Sequence, residues 1–162
     1  MKKIVINTPN AKSENDLSDV IFKPKPLSYI SMVNGDIDKL SRETSEAGAL
    51  LINGISFAPN DPGAIDKNGN SFDFCTAYID DDSRPSDECL AVIEKHIRDY
   101  GDYIVGINPP FVKSVVKSLQ CPTVTIALNR ELYLKNSERK MRSSAYKLNH
   151  HLSYLYRLLH AE

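Results

Sequence analysis

At 162 residues, 41% apolar and 25% charged, with a formal net charge of -1, the chain has the composition of an ordinary soluble globular protein and excludes a disordered or membrane chain. It is too short for two domains of ordinary size, no apolar run approaches a bilayer span, and Met1 to Asn7 lacks the apolar stretch and small-residue cleavage site of a secretory signal. One domain over residues 1–162, cytoplasmic and without a membrane partner, is the expectation.

Lys3 to Ile6 reads as a first strand, and the polar, proline-containing stretch from Thr8 to Pro26 as a surface connection with an apolar patch at Val20-Ile21-Phe22. Between Tyr29 and Gly48, Ile30, Val33, Ile37, Leu40 and Ala47 recur at helical spacing, which predicts helix, with Asn34-Gly35 a turn signal inside it and Gly48 its stop. Ala49-Leu50-Leu51-Ile52 is a continuous apolar run, as expected of a strand covered on both faces, and empties into a polar loop, Asn53-Gly54-Ile55-Ser56. Asn60 to Asn70 is rich in Gly, Pro and Asn and reads as loop. Phe72 to Ile79 follows as a strand, and Asp87 to about Tyr100 as a helix with Leu90, Ile93 and Ile97 toward the core. Tyr103 to Ile107 is a short strand closed by Asn108-Pro109-Pro110, Val112 to Leu119 a short helix, and Thr123 to Leu128 a last strand.

Strands alternating with helices predict an α/β fold, a central largely parallel or mixed sheet flanked by helices. Residues 1–134 would hold the sheet-containing core and 135–162 a C-terminal helix. In that helix Met141, Ala145, Leu148, Leu152, Leu155 and Leu159 form one apolar stripe. The stripe covers the sheet of its own domain or, as a short coiled-coil seam, pairs with a second copy in a homodimer.

Groups that could carry chemistry are few. Cys75, Cys89 and Cys121 have no close pair and no metal-ligand spacing, and read as reduced core residues. The triplet Asp80-Asp81-Asp82 suggests a hard cation, but immediately ahead of a helix carrying Pro85 it reads better as capping, with Asp82 or Ser83 receiving the free amides. His96, His150, His151 and His160 fall on predicted helices without a second ligand at metal spacing, whereas zinc needs three or four convergent ligands. There is no Gly-rich phosphate loop and no Gly-x-Ser-x-Gly elbow, so no cofactor is expected.

The charge is unevenly placed. Residues 60–102 hold eleven Asp/Glu and four Lys/Arg, while residues 130–162 hold seven Lys/Arg and three Asp/Glu. The basic tail can dock on the acidic middle, and so small a patch argues against a nucleic-acid partner.

What converges is a set of polar residues where strands are expected to end: Asn53 and Ser56 after one, Asn108 after another, Asn129 with Arg130 after the last. Arg130 offers a planar fork of donors suited to a carboxylate or phosphate. In open α/β sheets ligands gather outside the carboxyl ends of strands. Neutral hydrogen-bonding groups with one guanidinium suit recognition of a small anionic ligand better than bond cleavage.

Over residues 46 to 134 the chain resembles the N-formylglutamate amidohydrolase family. Ala49-Leu50-Leu51-Ile52-Asn53-Gly54-Ile55-Ser56-Phe57 is similar to that family's apolar strand ending in Asp-Leu-His-Ser-Met. The helix from Asp87, followed by Gly101 to Phe111 with Asn108-Pro109-Pro110, resembles its helix, strand and Asn-x-Pro turn. Ala127-Leu128-Asn129-Arg130-Glu131-Leu132-Tyr133-Leu134 is similar to Glu-Leu-Asn-Arg-x-Leu-Tyr-Met, the most specific of the three matches. The resemblance implies a phosphorylase/hydrolase-like α/β fold, zinc-dependent hydrolysis, and a pocket in which Arg130 holds a substrate carboxylate.

The departures bear on the chemistry. Asn53 stands where the family has Asp, Ile55 where it has a metal-binding His, and Ala127 where it has Glu. Val112-Lys113-Ser114 replaces its Gly-Gly, and its early His-Ser-Gly-type zinc segment has no counterpart. Three readings follow: a metal-free, non-catalytic relative binding a small carboxylate-bearing ligand through Arg130, Asn129, Asn108, Asn53 and Ser56; an active amide hydrolase with zinc or a mechanism through Asp73, Cys75 or the Asp80 to Asp82 cluster; and an interaction module acting through the C-terminal helix and its basic flank.

Overall fold

The computed structural model describes residues 2–9, 17–113, 121–135 and 140–162. The apolar runs assemble into a six-stranded sheet built from β1 (Lys3–Asn7), β2 (Ile30–Met32), β3 (Ala49–Phe57), β4 (Phe74–Ala77), β5 (Val105–Ile107) and β6 (Thr123–Asn129), in the order β2-β1-β3-β6-β4-β5. Neighbours run parallel except β4 against β6, so β4 and β5 together oppose the other four strands. The sheet is mixed, and the molecule is a single α/β domain.

The helices are α1 (Ser18–Phe22), α2 (Ile37–Thr44), α3 (Asp87–Tyr100), α4 (Pro110–Lys113) and α5 (Ser144–Ala161). Strand residues alternate between the two faces of the sheet, and the two faces are covered differently. On one, Ile4, Ile6, Leu50, Ile52, Val124, Ile126, Leu128 and Phe74 pack with α1, α3 and α5 into the main core. On the other lie two smaller clusters, Val5, Val33, Ala49, Leu51 and Cys121 in one and Phe57, Ala64, Cys75, Ala77, Val112 and Ala127 in the second.

Two local expectations are corrected. The helical spacing from Tyr29 is divided between a strand and a helix, because Ile30 packs toward the main core and Val33 toward the opposite cluster, while Asn34 (φ 53°) and Gly35 (φ 79°) turn the chain into α2. The supposed loop at Asn53 is also strand: β3 continues to Phe57 because Asn53 lies between polar neighbours, Asn7 on β1 and Thr125 on β6. Gly54 is required beside it, since a Cβ there would lie 2.5 Å from the ring Cγ of the buried Phe22.

The long helix also starts later than expected, at Ser144. Met141 sits on β8 (Lys140–Met141), pairing with Leu134 of β7 (Leu134–Lys135), yet still packs on the main core. Ala145, Leu148, Leu152, Leu155 and Leu159 are buried, so the stripe covers the sheet of its own domain. The helix after the acidic triplet is capped by Ser86, whose hydroxyl accepts from the Cys89 amide, and not by Asp82 or Ser83. The expected helix from Val112 to Leu119 begins as α4; its later part lies outside the described residues. Among the described residues no helix is long and apolar enough to cross a membrane.

Candidate functional site

Asn129 ends β6 and is buried. Its side chain is committed locally, the amide donating to the Phe72 carbonyl (3.0 Å) and the oxygen accepting from the Glu131 amide (3.0 Å), which caps a single 3-10 turn over Arg130–Leu132. That cap fixes where the chain leaves the sheet and so where Arg130 is held. Arg130 enters no ion pair among the described residues, and its Nε is buried without a hydrogen-bond partner. A buried guanidinium N–H left unmatched costs free energy, and this one stands just past the end of β6.

The register decides which of the other residues join it. Phe57 pairs with Asn129 and Ser56 with Leu128, so Ser56 lies at the same strand end. Asn53 pairs with Thr125, four residues further back on β3, about 13 Å at the rise of a strand. There its oxygen accepts from the Asn7 amide at 3.0 Å, and Asn7 in turn accepts from the Gly35 backbone at 2.9 Å. Asn108 follows β5, which runs opposite to β6, and therefore leaves the sheet at the other end. Its φ of 51° and the bond from the Tyr78 amide to its oxygen (2.8 Å) make it the pivot of a turn. The register places Ser56 at the strand end where Asn129 and Arg130 stand, on the sheet face opposite Asn129, and does not bring Asn53 or Asn108 there, because sequence proximity to a strand end says nothing about strand direction.

Asp73, just before β4, does reach this end. Its carbonyl accepts from the Asn129 amide at 3.0 Å, and its Oδ2 accepts from the Ile104 amide at 2.8 Å. Burial raises its pKa, the Ile104 amide partly offsets this, and the charge of Glu131 adds a further push upward. A carboxyl held above its usual range at a strand end is a candidate proton-transfer group. Asp80 to Asp82 lie at the other end of β4, where Asp81 binds the amide and hydroxyl of Ser83 (2.7 and 2.6 Å). Cys75 is fully buried and its thiol is pushed up to about 12 by burial, which makes it inert as a nucleophile near neutral pH.

Two positions at which the chain departs from the family, Ile55 where it has a metal-binding His and Ala127 where it has Glu, lie side by side. Ile55 and Ala127 are register partners on neighbouring strands, and Cys75 pairs with Ala127 from the other side. All three belong to an apolar cluster with Phe57, Val112 and Phe111, the two rings meeting edge to face at 5.3 Å. Among the described residues no three His, Cys, Asp or Glu side chains form a group that could hold a metal ion. Zinc takes three or four N, S or O donors, and the residues standing in this row do not fit it.

No family model and no curated protein matches the chain by sequence. Solved structures do match its fold. An N-formylglutamate amidohydrolase from Ralstonia eutropha JMP134 superposes with a TM-score of 0.69 at 13% identity, covering 99% of this chain and 93% of that one. An N-acetylmuramoyl-L-alanine amidase from Clostridium difficile 630 superposes with a TM-score of 0.56 at 14% identity, covering 99% and 98%. At such identity the likeness speaks for architecture: the chain has the α/β fold seen in these amidohydrolase and amidase structures.

Proposed function

We propose that the chain is a metal-free, non-catalytic relative of the N-formylglutamate amidohydrolases that binds a small carboxylate-bearing ligand at the ends of β3 and β6, with Arg130 as its anchor. The observation that carries the reading is the buried Arg130 Nε without a partner, beside the capped Asn129. A carboxylate matches the guanidinium fork with two parallel, charge-assisted bonds. Ser56 and Asn129 belong to the same strand end and shape it. The apolar row Ile55, Ala127 and Cys75 supports the absence of metal-driven hydrolysis in this reading.

Titration of N-formylglutamate into the protein by calorimetry tests it. Arg130→Ala is expected to weaken binding tenfold or more, about 1.4 kcal/mol or above, with the melting temperature nearly unchanged because the Arg130 Nε has no partner and the side chain no ion pair among the described residues. Equal affinity for the two proteins would overturn the reading.

A second reading has one observation in its favour, the raised pKa of Asp73. In it Asp73 acts as a general base in amide hydrolysis. Asp73→Asn would then abolish release of a carboxylate product, measured by chromatography of the incubated substrate.

A further inference from the structure

Away from these strand ends, the segment leading into β2 and the second half of α5 border an open hollow of about 500 Å³, within the range of small-molecule sites. Its wall carries the basic side chains Lys25, His150 and Arg157 and, among the described residues, no Asp or Glu. None of the ion pairs among the described residues uses these three groups. Three basic side chains from two separate segments therefore face one hollow, with no ion-pair partner among the described residues.

Two further observations narrow the occupant. Ser153, also on the wall, has its hydroxyl buried without a hydrogen-bond partner. A helical serine has an internal acceptor within reach, the carbonyl one turn back, and Ser153 leaves it unused. Tyr154 is 49% exposed on the same wall, a large ring without full cover. The opposite side is stiffened by Tyr29, whose ring stacks on His160 with centroids 3.6 Å apart. Two cations, an imidazole and a hydroxyl donor suit a group with three acceptor oxygens and up to two charges, which is a phosphate rather than a single carboxylate. The exposed ring suits a planar aromatic partner.

We propose that this hollow binds a small aromatic phosphate, the phosphate held by Arg157, Lys25 and the Ser153 hydroxyl with His150 at its margin, and the ring lying against Tyr154. The site is independent of Arg130. It takes a different anion, on a different wall of the molecule.

Adenosine monophosphate and inorganic phosphate are the probes, followed by calorimetry and by amide NMR shifts of the full chain. The nucleotide is expected to bind with a Kd of roughly millimolar or tighter and at least tenfold more tightly than phosphate. Arg157→Glu is expected to weaken it tenfold or more, Ser153→Ala to weaken it by a smaller factor, and Arg130→Ala to leave it unchanged. Shifts should cluster at residues 25–30 and 150–157. No nucleotide binding at about 10 mM, equal affinity for phosphate and nucleotide, or wild-type affinity in a folded Arg157→Glu protein would each overturn the proposal.

Discussion

The two faces of the sheet treat polar groups in opposite ways. On the face packed by α1, α3 and α5, side-chain hydrogen bonds tie one element to another. Tyr156 donates to the Phe22 carbonyl at 2.9 Å, Asn149 bonds the carbonyls of Val20, Ile21 and Lys23, and His96 and His151 each donate a ring N–H to the other's carbonyl at 2.8 and 3.1 Å. On the other face a polar row, Asn7, Asn53 and Thr125, lies between two small apolar clusters, and the strand end beyond it holds Asp73 and the unmatched Arg130. The first face is built for cohesion. The strand end beyond the second holds a carboxyl whose pKa is raised by burial and a buried Arg130 Nε without a partner, the two features on which the proposed carboxylate site rests.

Acid should break the cohesive face. His151 is fully buried, and burial lowers its pKa to about 4 from the ordinary 6.5; burial lowers His96 as well. Burial disfavours the charged ring more than the reciprocal bond to a carbonyl favours it, so each ring stays neutral. The folded chain therefore binds fewer protons than the unfolded one over this range, so stability is complete above pH 6.5 and falls as the pH drops from there toward about 4. The loss at His151 is on the order of 3 kcal/mol. Urea midpoints measured between neutral pH and pH 4 would show it, and His151→Phe should flatten much of the slope. A midpoint independent of pH would mean that burial does not hold the His151 ring neutral.

The polar row should yield a smaller loss. Asn53→Ala removes the acceptor of the Asn7 amide and is expected to cost about 1 kcal/mol, with carboxylate affinity unchanged, since the residue lies four positions back along β3. A matched loss of affinity would place Asn53 in the site after all. At Asp73 the expected sign reverses. Its folded pKa is raised, so its contribution is complete below the unfolded value of 3.8 and lost as the pH rises through the folded one. At neutral pH the ionised group is a burden. Asp73→Asn keeps an oxygen for the Ile104 amide and should raise stability by a few tenths of a kcal/mol, the group being only half-buried. That gain should vanish in acid.

Most of the architecture is legible in the residues. The apolar runs Ala49 to Ile52 and Thr123 to Leu128, the helix from Asp87 and the α5 stripe all mark their elements, because burial on one or both faces imposes a period on the sequence. Ile30 and Val33 escape that logic. They serve cores on opposite faces within one short segment, so their spacing mimics a helix. The site is legible only in part. Asn-Arg at the end of β6 is visible as an oddity in an apolar strand, whereas the direction of β5 is set by pairing with β4 and leaves no local mark, which is why Asn108 reads as a neighbour of Arg130 and is not one. Asn53 misleads for a related reason: its partner, Asn7, is 46 residues away in the chain. The hollow beside α5 has no motif at all, because its walls come from segments more than a hundred residues apart.

The most direct test of metal-free carboxylate recognition is one calorimetric titration of the carboxylate ligand, performed on protein before and after exhaustive treatment with a chelator. Unchanged affinity is the expected result, because Arg130 and not an ion supplies the counter-charge. Binding that disappears on chelation and returns with added zinc would contradict it.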